Sequence, residues 1–91
     1  MQTIELIVSG IVQGVGFRWT TIPLAKKLGI NGTIQNLADG TVRMIVQADE
    51  TQIKQFIEQL PGSISSAAHI DHIDQRQLQI ENRFHGFNVI Y

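Results

Sequence analysis

The sequence contains no cysteine, few charged residues and no long apolar run, and each absence excludes a class of function. Without cysteine the chain has no disulfide framework, no thiol nucleophile and no thiolate metal site. Charged residues make up 16% and the net charge is −1, so a cationic surface for nucleic acid or an anionic membrane is not expected. The amino terminus carries no basic stretch before an apolar run. We therefore expect no signal peptide, no membrane span and a cytoplasmic location.

The residues that are present suit a single small domain. The 91 residues are 43% apolar, which is enough for one hydrophobic core, so we expect one domain over residues 1–91. Alternation of polar and apolar residues predicts strands at 3–8, 32–37, 41–48, 68–78 and 84–91. Apolar residues three or four positions apart predict two helices, at 19–28 and 49–60.

Prolines and a capping residue set the predicted limits of the helices. Pro23 has no N–H to donate, so the regular part of the first helix is expected to begin near residues 20–21, with Pro23 in its first turn. Asp49 is expected to cap the second helix, and the Pro-Gly-Ser run at 61–63 is expected to end it. Gly29 follows the first helix at the position of a C-cap.

The order of the predicted elements is strand, helix, strand, strand, helix, strand and a short last strand. This order predicts an α+β fold of the ferredoxin-like, split β-α-β type, with an antiparallel sheet of four to five strands and both helices packed on one face. In the fourth strand Ile70 and Ile73 lie three positions apart, which interrupts the alternation and predicts a β-bulge. Many functions use this fold, so function has to be argued from a site.

The segment from Gly10 to Arg18 carries most of the chemical information. It leaves a strand, passes through three glycines and enters a helix with an arginine near its start. Such a loop can turn several N–H groups inward to bind an anion, and a guanidinium matches two phosphate oxygens. The lysine of a P-loop and the third glycine of a dinucleotide fingerprint are both missing. Two interpretations remain from the residues alone: a phosphate pocket, or a tight connection beside a solvated arginine.

Three stretches of the chain resemble the acylphosphatase family. Residues 12–18, Val-Gln-Gly-Val-Gly-Phe-Arg, resemble the signature V-Q-G-V-x-[FY]-R. Residues 32–42 resemble G-[aromatic]-V-x-N-x-x-D-G-x-V, and the tail at 86–91 resembles the closing F-x-[IV]-x-Y. The spacing of the two main signatures also matches, so the resemblance covers nearly the whole chain and favours the phosphate pocket.

The resemblance implies roles for individual residues. Arg18 and the backbone N–H groups of the loop would bind the phosphoryl group, Asn36 would aim the attacking water, and Thr21 would brace the loop or Asn36. The implied phosphate-binding loop consists of Gln13, Gly14, Val15, Gly16, Phe17 and Arg18. Two positions depart from the family pattern: Thr33 stands where an aromatic residue is usual, and Pro23 is unusual in the first helix. Neither position carries a phosphate or water ligand.

The implied activity is metal-independent hydrolysis of acyl phosphates to a carboxylate and inorganic phosphate, with no cofactor. The expected partners are a small acyl phosphate and inorganic phosphate as product and inhibitor, with no nucleic acid and no membrane, and we expect a monomer. The alternative is a non-catalytic module that binds phosphate or acyl phosphate. The presence of both Arg18 and Asn36 argues against it, because binding alone needs no amide to aim water. A carbamoyl phosphate substrate, as in related domains of hydrogenase-maturation proteins, is a further alternative.

Two other functions are disfavoured. His69, Asp71, His72 and Asp74 are metal-ligand types, but residues three apart on a regular strand point to opposite faces, and only a bulge would bring the histidines together. A ferredoxin-like sheet can also bind RNA through aromatic residues on its central strands. The third predicted strand has no aromatic residue and the net charge is negative, so we do not expect RNA binding.

Overall fold

The computed structural model describes residues 1–91 as five strands and two helices. The elements are β1 (Gln2–Ile11), α1 (Phe17–Lys27), β2 (Asn31–Asn36), β3 (Val42–Ala48), α2 (Glu50–Ser63), β4 (His69–Gln77) and β5 (Phe87–Val89). The predicted order of strands and helices and the ferredoxin-like α+β fold are confirmed. Neither α1 nor α2 has the length and apolar content of a membrane-spanning segment.

The strands form one sheet in the order β4-β1-β3-β2-β5. β1 and β2 both pair antiparallel with β3, and β4 pairs antiparallel with β1. β5 instead pairs parallel with β2, so the sheet is mixed where the sequence predicted an antiparallel one. The reason is the connection from β4, which crosses the sheet at one end, where Leu78 donates to Thr3 and the Gln47 side chain bonds Asn82 and Phe84. Because the chain does not change ends, β5 must run opposite to β4.

The core lies between the sheet and the two helices. Alternate residues of β1 and β3, among them Leu6, Val8, Met44 and Val46, are fully buried there. Phe56 of α2 packs against Phe87 of β5 with ring centroids 6.3 Å apart. Burial of these side chains is the main favourable contribution to folding.

Helix limits differ from those predicted at both prolines. α1 begins at Phe17, so Pro23 lies inside the helix and the predicted start near residues 20–21 is wrong. α2 likewise continues through Pro61 to Ser63. Both prolines are exposed, so each proline ring lies on the solvent side of its helix. The predicted cap is confirmed: Asp49 is the N-cap of α2 and donates its N–H to Gln52 at 3.0 Å.

The predicted bulge in β4 is confirmed. Ser9 of β1 pairs with His72, but Gly10 pairs with Ile70, so one residue of β4 has no partner across the ladder. The extra residue brings Ile70 and Ile73 to the same side, and both pack against the core.

Gly32 tests how closely the backbones of β2 and β3 approach each other. Its φ is 152° and a Cβ there would overlap the carbonyl oxygen of Ile45 in β3. We expect Gly32→Ala to lower the free energy of unfolding by about 2–3 kcal/mol, because the strand must move or strain. The control is Gly62→Ala, where a Cβ meets nothing within 4 Å and helix propensity favours alanine. Chemical denaturation of both variants measures the difference, and equal stabilities would contradict the close approach.

Candidate active site

The site candidates lie together because β1 and β2 end at the same end of the sheet. Both strands run antiparallel to β3, so they run parallel to each other and their carboxyl ends coincide. Val8 of β1 and Asn36 of β2 both face Val42 of β3 in the register. With neighbouring strands about 4.8 Å apart, the Val8 and Asn36 positions are about 10 Å apart across β3. The loop that follows β1 therefore begins beside the hairpin that follows β2.

The loop at 13–16 presents free backbone donors. Gly14 and Gly16 have φ of 71° and 77°, in the left-handed region, whereas Val15 between them does not. This alternation turns successive N–H groups to one side of the chain. The N–H groups of residues 13–16 donate to no backbone acceptor, and those of Phe17 and Arg18 open α1 and have no helical acceptor. An anion at this position would receive several hydrogen bonds and the favourable end of the helix dipole.

The loop is fixed at its ends and at its middle. Val12 before it and Phe17 after it are buried in the core. The Ser65 hydroxyl, from the connection after α2, donates to the Val15 carbonyl at 2.5 Å. That carbonyl and the Gly16 N–H belong to one planar peptide unit and point in opposite directions. Ser65 therefore orients the Gly16 N–H away from itself.

The side chain of Gln13 makes the second set of hydrogen bonds that fixes the loop. Its Nε2 donates to the Leu37 carbonyl and to the Thr41 carbonyl, both at 2.8 Å. The predicted phosphate-binding loop includes Gln13, but its side chain contacts the β2–β3 hairpin. Only its backbone remains available to an anion.

The hairpin that carries Asn36 is closed by its own hydrogen bonds. The Leu37 N–H donates to Thr41 at 2.9 Å, and Gly40 donates back to Leu37 at 3.2 Å. The Asp39 carboxylate accepts the Thr41 hydroxyl at 2.6 Å and the Thr41 N–H at 3.0 Å. These bonds hold the pKa of Asp39 below its ordinary value. Asp39 is therefore an ionised turn residue at neutral pH.

Arg18 lies in the first turn of α1 and is half-buried, with no ion pair to a carboxylate. Its guanidinium carbon lies 5.8 Å from the centroid of the Tyr91 ring, which is within the range of a cation–π contact. The sequence did not assign Tyr91 to the site. The signal for it in the sequence was the closing tyrosine of the family pattern. Tyr91 is far from Arg18 in sequence, and β5, which ends two residues before Tyr91, brings the two side chains together.

Two buried polar atoms near this end lack a partner. They are the Asn36 Oδ1 and the Thr21 Oγ1, and Thr21 is fully buried. An unpaired buried acceptor costs about 1–3 kcal/mol unless water or a ligand satisfies it. The brace expected from Thr21 is not a direct hydrogen bond to Asn36 or to the loop. The neighbouring Thr20 hydroxyl donates to the Phe17 carbonyl at 3.0 Å.

The histidines of β4 form separate pairs on the far edge of the sheet. His69 lies 3.1 Å from Asp71, and His72 lies 2.7 Å from Asp74, with all four side chains exposed. No group of three or more His, Asp or Glu side chains converges as a metal site would require. These residues lie outside the constellation at the ends of β1 and β2.

Comparison with known proteins identifies the family. A sequence model of the acylphosphatases matches residues 4–89. The chain belongs to the acylphosphatase family. It is 45% identical to the acylphosphatase of Lactobacillus johnsonii and 43% identical to that of Lactobacillus gasseri, over the full length of all three chains. Among solved structures, the acylphosphatase of Bacillus subtilis matches with a TM-score of 0.92 and 28% identity, covering all of both chains.

The same fold also occurs as part of a larger protein of known structure. HypF from T. kodakarensis matches with a TM-score of 0.90 and 30% identity. The match covers all of this chain but 12% of HypF. The acylphosphatase fold thus occurs both as a whole chain and as a small part of a long one.

Proposed function

We propose that this protein hydrolyses small acyl phosphates to a carboxylate and inorganic phosphate without a metal ion. The observation that carries the proposal is the combination, at one end of the sheet, of unpaired loop N–H groups, an arginine without a carboxylate partner and an asparagine with an unpaired oxygen. Membership of the acylphosphatase family supports it. One copy of the chain carries all of these groups, so we propose that residues 1–91 act as one domain and as a monomer.

The phosphoryl group binds to the loop and to Arg18. The N–H groups of residues 13–18 donate to its oxygens, and the planar guanidinium bonds two oxygens at once. Both sets of donors contact negatively charged phosphoryl oxygens and stabilise that charge as the reaction proceeds. The same contacts would hold inorganic phosphate, which therefore competes with substrate.

Asn36 positions the attacking water. Its unpaired Oδ1 accepts one water hydrogen and turns a water lone pair towards phosphorus. The residue sits at the carboxyl end of β2, in register with Val42, so the strand ladder fixes its direction. Satisfying this oxygen also removes the cost of leaving it buried and unpaired.

The reaction needs little more than this positioning. The leaving carboxylate is a weak base and departs without a general acid. Phosphoryl transfer passes through a loose transition state, in which charge lies mainly on the phosphoryl and leaving oxygens. The water proton can pass to a phosphate oxygen of the substrate, and the products are phosphate and the free carboxylate. Of the acidic residues, Glu5 is bound to Arg43 at 2.7 Å on the far face of the sheet, and Asp39 is held in its turn.

The activity itself is the first test. We expect purified protein to hydrolyse benzoyl phosphate in EDTA, with inorganic phosphate as a competitive inhibitor, because the proposed contacts are all from the chain. Continuous loss of the acyl phosphate absorbance measures the rate. Activity that is lost in EDTA and restored by a divalent metal would contradict metal independence. Purely non-competitive inhibition by phosphate would contradict a binding site shared by substrate and phosphate.

Arg18 tests the phosphate contact. Arg18→Lys keeps the positive charge but loses the planar fork, so we expect kcat/KM to fall by about 10³-fold. Lys26→Arg, an exposed change in the last turn of α1, is the matched control and should leave kcat/KM unchanged. Steady-state kinetics on both variants decides the matter. A folded Arg18→Lys protein with wild-type kinetics would remove Arg18 from the mechanism.

Asn36 separates an enzyme from a phosphate-binding module. We expect Asn36→Ala to lower kcat by about 10²-fold, the scale for loss of one positioned polar group. KM and the inhibition constant of phosphate should change little, because the loop and Arg18 remain. Kinetics, phosphate inhibition and the denaturation midpoint are measured on the same preparation. Lower stability with unchanged kcat in the folded protein would show that Asn36 only supports the hairpin.

A further inference from the structure

We propose that the side chain of Gln13 is a positioning residue, which sets the location of Asn36 relative to the bound phosphate. The inference rests on the proposed function. Gln13 then has two roles. Its backbone N–H belongs to the phosphate-binding loop, and its side chain sets the position of Asn36 and so of the attacking water.

The contacts of the Gln13 side chain are specific. One nitrogen, Nε2, lies 2.8 Å from the Leu37 carbonyl and 2.8 Å from the Thr41 carbonyl. An amide nitrogen has two hydrogens, so each carbonyl receives one. Both partners are acceptors, and the opposite orientation of the amide would place its oxygen against them. The orientation is therefore determined by the chemistry of the partners.

These bonds join two parts of the site that the sheet leaves separate. The loop follows β1 and Asn36 ends β2, and β3 lies between these strands, so no ladder hydrogen bond connects them. Leu37 is the next residue after Asn36, and Thr41 precedes Val42, the partner of Asn36 in β3. Gln13 thus binds both arms of the hairpin, immediately on the turn side of the Asn36–Val42 pair.

The consequence is a coupling between phosphate and water. The phosphate is located by the loop, and the water is located by Asn36 at the base of the hairpin. If the hairpin shifts relative to the loop, phosphate still binds, but the water lies out of line with phosphorus. A misplacement of about 1 Å at a reacting centre can cost about 10²-fold in rate. Loss of the Gln13 bonds should therefore lower kcat and spare phosphate binding.

Two substitutions of similar size test the donors. Gln13→Met keeps the length of the side chain and has no donor. Gln13→Glu keeps its shape but places a carboxylate against two carbonyl oxygens, and is the more disruptive change. The controls are Gln55→Met and Gln55→Glu, on the exposed face of α2, where the native side chain makes no hydrogen bond. Measured quantities are kcat, KM, the phosphate inhibition constant and the denaturation midpoint.

We expect Gln13→Met to lower kcat by about 10- to 100-fold, and Gln13→Glu by more, with the phosphate inhibition constant within about threefold of wild type. The double variant Gln13→Met/Asn36→Ala should be no slower than Asn36→Ala, because Gln13 acts through Asn36. The Gln55 variants should match wild type. If Gln13→Met does not fold, Gln13→Asn, whose arm is too short to reach both carbonyls, takes its place.

Three results would overturn the inference while leaving the proposed function intact: wild-type kcat in folded Gln13→Met, a phosphate inhibition constant that weakens as much as kcat falls, or additive losses in the double variant. Additivity would mean that Gln13 and Asn36 act independently. An inactive wild-type protein would overturn the proposed function itself. The two failures are therefore distinguishable in one set of assays.

Discussion

The register of β3 with its two neighbours is the constraint on which the rest of the site depends. β1 and β2 never touch, yet they run parallel and end together because each is antiparallel to β3. Since side chains alternate along a strand, a slip of one residue between β2 and β3 would turn Asn36 to the opposite face of the sheet. Buried Ile34 of β2 opposes such a slip, because it would leave the core together with the change of face of Asn36.

Core packing and chemistry are thus supplied by the same strands. Ile34 and Asn36 lie two positions apart on β2 and point to the same side, one into the core and one into the proposed site. The loop after β1 is similarly enclosed between buried Val12 and Phe17. The Thr21 and Asn36 oxygens have no partner within the chain, so they are buried polar atoms that only water or a ligand can satisfy.

Much of this arrangement could be predicted from local patterns. Alternation located β3, and the three-residue spacing of Ile70 and Ile73 located the bulge, because both follow from strand geometry. The start of α1 could not be predicted in this way: a proline at the seventh helical position is tolerated because Pro23 is exposed, and exposure depends on tertiary packing. The direction of β5 depends on where its connection crosses the sheet, which no local pattern encodes.

In the candidate site, too, some features could be predicted from the sequence and others could not. Arg18 and Asn36 were predicted because each stands within a contiguous motif. The side-chain partners of Gln13 and Ser65 were not, since they lie 24 to 50 residues away in sequence and are brought close only by folding. Thr21 was predicted to brace its neighbours, but its buried hydroxyl has no partner within the chain.

The contact between Arg18 and Tyr91 has a practical consequence for handling the protein. Tyr91 is almost fully exposed and its ring lies over the guanidinium, so anything fused after it would begin at the mouth of the proposed site. The Met1 amino group lies beside Asp49, at the opposite end of β3. An affinity tag or a fluorescent fusion partner is therefore better attached before Met1, where it leaves the approach of a phosphate-bearing molecule open.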